Sequence, residues 1–326
     1  VKRVLIDTDP GIDDALALWL AFRSPELRVE AVTTVAGNAP VARTTVNARR
    51  LIDLLQPTPC PLLARGRDRP LQKDPITAAT VHGLDGLGDL DRLRDGNGDP
   101  LYPDPALPAP LPQAREVIIE LAERYGEGLT VIALGPLSNL GEALLAGGPR
   151  VMAIGEVVVM GGAINVPGNV TPAAEFNMFA DPDAAHLVLT SGLPIRLIPL
   201  DVTQHVWLDQ EAIDRLARKI GGSQGRFLMD ITCNILAQSL RLHGGPFLTL
   251  HDPLAVAVAV DPSLVQTTPF HIVVETQGEV TQGMTLADRR PIPNECKAPP
   301  NVQAALQVDV RRFLDLFEER ICQRFS

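Results

Sequence analysis

The sequence has little cysteine, few aromatic residues and a deficit of positive charge. Its 326 residues include four cysteines, two tyrosines and two tryptophans. Cys60, Cys233, Cys296 and Cys322 lie far apart, and none belongs to a CxxC pair. That scatter excludes a compact zinc site and a dense disulfide framework, and structural, reduced thiols are expected. Nothing beside any cysteine reads as an activating base, which argues against a catalytic thiol. Lys and Arg total 29 against 39 Asp and Glu, a net charge of −10. Nucleic-acid backbones and anionic lipid surfaces both select basic partners, so neither is expected. No apolar run is long enough to cross a bilayer; the best, residues 254–260, suits a core helix. The first apolar run stops at Asp7 and does not suit a secretory leader, so a cytoplasmic protein is expected. A Walker-type phosphate loop is also missing.

What is present is the composition of an ordinary globular chain, 45% hydrophobic and 21% charged. That is too apolar for wholesale disorder and ample for a large core. Strand-like and helix-like patterns alternate. Residues 3–6, 28–35, 61–64, 129–134, 156–160 and 195–199 read as strands. Residues 12–20, 40–55, 113–125, 137–145 and 182–190 read as helices. Residues 209–241 read as mostly helical with a break at Gly221-Gly222, and 253–260 as a helix. Residues 270–275 and 302–308 read as late strands, and 309–324 as a closing amphipathic helix. This order predicts an α/β fold: an open, mostly parallel sheet flanked by helices, as one domain over 1–326. Ligands in such sheets bind beyond the carboxyl ends of the strands. Residues 65–111 are dense in Gly, Pro and Asp, and a loop of that length is expected to be either functional, as a candidate lid, or disordered.

The chemistry gathers at those strand ends. The first strand runs into Asp7-Thr8-Asp9-Pro10-Gly11-Ile12-Asp13-Asp14. A helix cap accounts for one aspartate there, and four within eight residues need more. Crowded carboxylates repel unless a cation or a shared proton offsets them. An all-oxygen donor set favours a hard ion such as Ca²⁺ or Mg²⁺ over zinc. A strand ending in DxD also opens the haloacid-dehalogenase-type phosphohydrolases, where Asp7 would be the nucleophile on a Mg²⁺ site. Further strand ends supply Asn38, the backbone after Ala133, and Asn169 to Asn177. Glu175 and Asn177 flank Phe176, and in extended chain both would point to one ligand. His251-Asp252 precedes a helix.

Taken together, these segments resemble the inosine-uridine-preferring nucleoside hydrolases. The likeness rests on DTDPGIDDALAL (7–18), TTVAGN (33–38), VHG (81–83), ALGPLSNL (133–140), GNVTPAAEFN (168–177), HDP (251–253) and ETQGEVTQGMT (275–285), in family order. It spans essentially the whole chain. The resemblance implies a Rossmann-like nucleoside hydrolase fold and an N-ribohydrolase that releases ribose and free base at a bound Ca²⁺. The implied metal ligands are Asp9, Asp14, Asp252 and the backbone carbonyl of Leu134. Asp9 would also be the general base, and Asp7 would orient the metal shell from behind. Asp13, Asn38, Asn169, Glu175 and Asn177 would hold the ribose hydroxyls. His82 and His251 would lie on the base side, with His82 carried by the long loop. Relatives form homodimers or homotetramers, so the same is implied here.

The base is less defined. Some relatives carry tyrosines on the helix over 229–241, whereas Tyr102 and Tyr125 lie elsewhere. Phe176, Gln238 and His243 are the candidate base-pocket residues, with Arg241 beside them. Purine-specific relatives stack the base between tryptophans, but Trp19 sits on the buried face of the first helix and Trp207 in a loop. This favours uridine, cytidine or inosine. The competing functions are the Mg²⁺ phosphohydrolase and a non-catalytic nucleoside or sugar binder.

Overall fold

The protein is represented by a computed structural model, described over residues 1–293 and 297–323. Cys296 and the end of the last predicted helix, at Arg324, lie outside the described residues. The chain opens with β1 (Lys2–Thr8), α1 (Ile12–Phe22), β2 (Leu27–Thr34), α2 (Val41–Leu55) and β3 (Leu62–Arg65). The long segment that follows is not all loop: it contains the single turn α3 (Ala79–His82) and a 3₁₀ turn at Leu90–Arg92. Then come α4 (Ala114–Tyr125), β4 (Leu129–Ala133), α5 (Ser138–Gly147), β5 (Glu156–Met160), α6 (Phe176–Ala180), α7 (Pro182–Leu189), β6 (Ile195–Ile198) and α8 (Leu200–Thr203). The last third holds β7 (Trp207–Asp209), α9 (Gln210–Ile220), α10 (Gly222–His243), β8 (Phe247–Thr249), α11 (His251–Val260), β9 (Val265–Phe270), β10 (Ile272–Val274), β11 (Thr285–Ala287), β12 (Val302–Val308) and α12 (Val310–Ile321).

Eight strands form one sheet in the order β3-β2-β1-β4-β5-β6-β12-β9, parallel except for the edge strand β9. The expected strand over 270–275 is thus split. Phe270 ends β9, which pairs with β12, while Ile272–Val274 pairs with β11 in a separate ribbon. Trp207, expected in a loop, lies in the short β7, paired with β8. Strands of three residues carry too few alternating positions to be read from pattern. The helix break at Gly221-Gly222 is where it was expected; both glycines have positive φ, which ends α9 and starts α10.

Alternation within the strands builds two cores. In β1, Val4 and Ile6 face one layer and Leu5 the other; in β5, Val158 and Met160 oppose Val157 and Val159. Helices α4, α5 and α7 cover one face, while α1, α11 and α12 cover the other. Every residue of α1 is buried, and so is α11 from Asp252 to Ala259. Helices apolar on all sides belong inside a large core. Burying each large side chain, such as Leu16 or Trp19, stabilises by about 1.5–3 kcal/mol, which offsets the cost of the carboxylates at the ends of these helices. Strand order reverses between β1 and β4, so a crevice opens at their carboxyl ends.

Candidate active site

Asp9, Asp13 and Asp14 follow β1, Asn38 follows β2 and Leu134 follows β4, the strands whose ends border this crevice. After β1, Asp9-Pro10-Gly11 turns the chain into α1. A Cβ on Gly11 would come within 2.7 Å of both Asn38 Nδ2 and His82 Nδ1, so any other residue there would push these two side chains aside. Asp13 and Asp14 occupy the first turn of α1, while His251 and Asp252 begin α11. Helix N-termini favour negative charge, and two of them converge here.

The convergence brings carboxylates from distant sequence together. Asp13, Asp14 and Asp252 each place an oxygen within 4.8 Å of the others, and all three are buried. Asp14 Oδ2 accepts from the backbone N–H of Gly11 and from Asn38 Nδ2, both at 2.9 Å. Its Oδ1 accepts from the Thr8 hydroxyl. Asp9 Oδ2 accepts from the Asn38 backbone N–H at 2.6 Å, while Oδ1 is buried without a partner among the described residues. Asn38 therefore bonds two of the aspartates at once.

Burial and crowding raise these carboxyl groups. Burial pushes Asp13 up to about 8, with Asp14 adding repulsion. Burial and the neighbouring aspartates hold Asp9 and Asp252 well above the usual carboxylate range. Among the described residues, no Lys, Arg or His makes an ion pair with any of these aspartates. An all-oxygen, buried, charge-crowded site with an unpartnered Asp9 oxygen fits a hard divalent cation. The trio differs from the set implied by resemblance: Asp13 joins Asp14 and Asp252, and Asp9 stands outside it, near enough for the charges of Asp14 and Asp13 to raise its carboxyl.

Asp7 lies in β1 and is fully buried. Its Oδ1 accepts from the Thr33 hydroxyl and from Asn139 Nδ2 at 2.8 Å. Burial raises it to about 6, against the lowering effect of Asn139 and Thr33. It belongs to the supporting layer between β2 and α5, which does not suit a nucleophile.

On the other side, Asn177 Nδ2 donates to the Leu134 carbonyl at 2.6 Å and to the Met160 carbonyl at 3.2 Å, tying the ends of β4 and β5. The Leu134 oxygen keeps one lone pair for another partner. Glu175 and Asn177 do not share an extended strand. Glu175 caps α6, whose first turn contains Asn177, because three N–H groups converge on its carboxylate: Asn177 at 2.9 Å, Gly162 at 3.0 Å and Met178 at 3.1 Å. Asn169 is exposed, and its Oδ1 accepts from the Phe176 N–H at 2.9 Å.

His82, on α3, is buried and its Nδ1 accepts from the Ile12 N–H at 3.1 Å. Burial lowers it to about 4, opposed by Asp14. His251 Nδ1 pairs with the Thr203 hydroxyl at 2.7 Å; burial, then the proximity of His82, lowers it to about 4 as well. Burial favours the neutral form of both rings, and a neutral His82 with Nδ1 accepting carries its proton on Nε2. The candidate base-pocket residues are less gathered. Gln238 Nε2 donates to the Thr80 carbonyl at 2.7 Å, Phe176 is half-buried, and Arg241 is exposed. The side chain of His243 lies outside the described residues. Sequence reasoning missed Thr8, Thr33 and Thr203 as hydrogen-bond donors or partners; adjacency to Asp7 and Asp9 was the available signal for Thr8 alone.

Comparison with known proteins identifies the family and the fold. A family model described as inosine-uridine preferring nucleoside hydrolase matches residues 4–315. The pyrimidine-specific ribonucleoside hydrolase RihA of Enterobacter sp. (strain 638) is 37% identical over 324 residues, covering 98% of this chain and 97% of the relative. A solved purine-preferring ribonucleoside hydrolase from Gardnerella vaginalis superposes with a TM-score of 0.88 at 34% identity, covering 98% of each chain. An inosine-guanosine nucleoside hydrolase gives 0.84 at 26% identity, covering 98% of this chain and 99% of its own. Among the described residues no helix is long and apolar enough to cross a membrane. The chain belongs to the inosine-uridine preferring nucleoside hydrolase family and is a ribonucleoside hydrolase, an N-glycosidase.

Proposed function

We propose that the whole chain acts as one hydrolase unit on pyrimidine ribonucleosides, uridine and cytidine, in the cytoplasm, with Ca²⁺ in the aspartate cluster. The observation that carries this reading is the buried Asp13, Asp14 and Asp252 trio beside the unpartnered oxygen of Asp9. Asp9, Asp14, Asp252 and the Leu134 carbonyl would hold the ion, and Asp13 is close enough to join them. When bound, such an ion neutralises the carboxylates, binds sugar hydroxyls and makes an attacking water more acidic.

The chain's own groups do the rest. Asp9 takes the proton of the attacking water on Oδ1, help worth about two to four orders of magnitude. Asp13, Asn38, Asn169, Glu175 and Asn177 hold the ribose, which supplies orientation. Their negative and amide oxygens stabilise the positive charge that develops on the sugar in an oxocarbenium-like transition state. His82 and His251 stand on the base side. With Nδ1 of His82 accepting from Ile12, its Nε2–H is the group left to assist the departing base by hydrogen bonding, and His251 would assist in the same way from a ring N–H. Phe176 and Gln238 would contact the base.

The pyrimidine preference is supported by the RihA relative and by the tryptophans. Trp19 is sealed in the core, and Trp207 packs beside Phe247 with ring centroids 5.9 Å apart. A tryptophan sandwich for a purine therefore has no pair to build it. The purine-preferring Gardnerella relative keeps inosine as a second reading. By resemblance the assembly is a homodimer or homotetramer, which sedimentation would read.

A substrate panel tests the reading. Uridine, cytidine, inosine, adenosine and a phosphomonoester are incubated with the Ca²⁺-loaded protein and followed by chromatography. Ribose and free base are expected, fastest from uridine or cytidine. Faster turnover of purine nucleosides overturns the base assignment. Phosphate release from the monoester supports the phosphohydrolase, and binding without product supports the binder.

A further inference from the structure

Helix α2 stands behind the acidic turn and carries a residue that the reaction above leaves unused. Asn47 is completely buried. Its Nδ2 donates to two backbone carbonyls, Pro10 at 3.0 Å and Asp85 at 2.8 Å. One amide nitrogen carries two hydrogens, so both bonds form together. The orientation of the amide follows from Arg50, whose guanidinium donates to Asn47 Oδ1 at 3.3 Å. A guanidinium cannot accept, so the oxygen must face it and the nitrogen must face the carbonyls.

The two carbonyls belong to the two halves of the site. Pro10 lies between Asp9 and Gly11 in the acidic turn. Asp85 follows closely on His82, in a segment that is tightly folded on itself. The Asp85 carboxylate accepts from the N–H groups of Leu87, Asp89 and Asp91 at 2.8, 2.9 and 3.0 Å. The Gly88 N–H donates to the His82 carbonyl at 2.7 Å. Gly86, at φ +82°, passes so close to Asn47 that a Cβ would lie 3.1 Å from Nδ2. A shift of the Asp85 carbonyl is therefore transmitted to His82.

We propose that Asn47 is a positioning residue of the hydrolase: by bonding the backbone of both segments it sets the spacing between the Asp9 turn and His82, and through it the assistance given to the leaving base. This inference rests on the proposed base-side role of His82. A merely structural asparagine would affect stability and every substrate alike, because its loss strands two buried carbonyls.

The test compares uridine with 4-nitrophenyl riboside, whose phenolate departs without a proton. Asn47→Ala is expected to lower kcat on uridine by about 10- to 100-fold, with a much smaller loss on the nitrophenyl substrate and a cooperative melt above the assay temperature. In a His82→Ala background, adding Asn47→Ala is expected to change uridine turnover by less than about twofold. Equal losses on both substrates, or additive losses in the double variant, overturn the inference while leaving the His82 role intact. Wild-type uridine turnover in His82→Ala overturns that role and the inference with it. If Asn47→Ala does not fold, Asn47→Ser, which keeps one donor, is scored by the same criteria and is expected to show a smaller loss selective for uridine.

Discussion

Gly37 stands so close to Asp9 that a Cβ at position 37 would lie 2.0 Å from Asp9 Oδ2. Gly135 approaches from the other side, where a Cβ would lie 2.4 Å from Oδ1. The carboxylate is thus held between the ends of β2 and β4 by bare backbone, with the Asn38 N–H bonded to one oxygen. Neither glycine has a positive φ, so the requirement is space and not conformation.

From this contact, Gly37→Ala is expected to displace Asp9 and lower kcat/KM for the best nucleoside by about 100-fold or more. Asp9→Ala sets the lower limit of the scale. Ribose release measures the rate, and circular dichroism shows whether the fold is kept. A folded Gly37→Ala protein with wild-type turnover would refute the proposed role of Asp9.

The raised carboxylates make metal-free stability depend on pH. Folded Asp13 holds its proton up to about 8, against an ordinary value of 3.8. The folded chain binds a proton that the unfolded chain releases, so this contribution is complete below 3.8 and is lost as pH rises through about 8. The two histidines act oppositely: with folded values of about 4 beneath the ordinary 6.5, they add stability as pH rises across that interval. Above 6.5 the carboxylates act alone. With a chelator present, the melting temperature is expected to fall from pH 6.5 to 8.5. Added Ca²⁺ should cancel the fall, because the ion binds the deprotonated cluster and stabilises the folded state by mass action. A metal-free melting temperature that stays level or rises over this range would count against the buried trio.

Glu175 combines a cap with a site role. Glutamine at this position keeps one acceptor oxygen and turns an N–H₂ toward backbone donors. Glu175→Gln is expected to cost about 1–3 kcal/mol of stability, read from the urea midpoint, and to raise KM for the nucleoside as α6 loosens. An unchanged midpoint together with an unchanged KM would remove both roles.

Much of the site was legible in the sequence for a local reason. A strand followed by Asp-Pro-Gly and two aspartates places carboxylates at a strand-to-helix junction, with Gly11 reading as a tight turn; the close approach of Asn38 and His82 to it appears only in three dimensions. Asn38 follows its strand in the same way, as does Leu134. Glu175 and Asn177 were misplaced by reading a short helix as extended chain. Five residues are too few to show a period, and only the cap bonds reveal the turn. Short strands such as β7 and β11 were invisible for the same reason.

The alternation of the main sheet strands with their covering helices, the clustering of acidic residues at a strand end and the family were written in the sequence, since each depends on residues close along the chain or on motifs in series. Which aspartates meet was decided only in three dimensions. Asp13 reaches Asp14 and Asp252 because α1 and α11, both buried, lie side by side with their first turns together, and the packing of their apolar side chains sets that alignment. The bridge from Asn47 to Pro10 and Asp85 has the same origin. Hydrogen bonds across such distances form only after the core has brought their ends within reach.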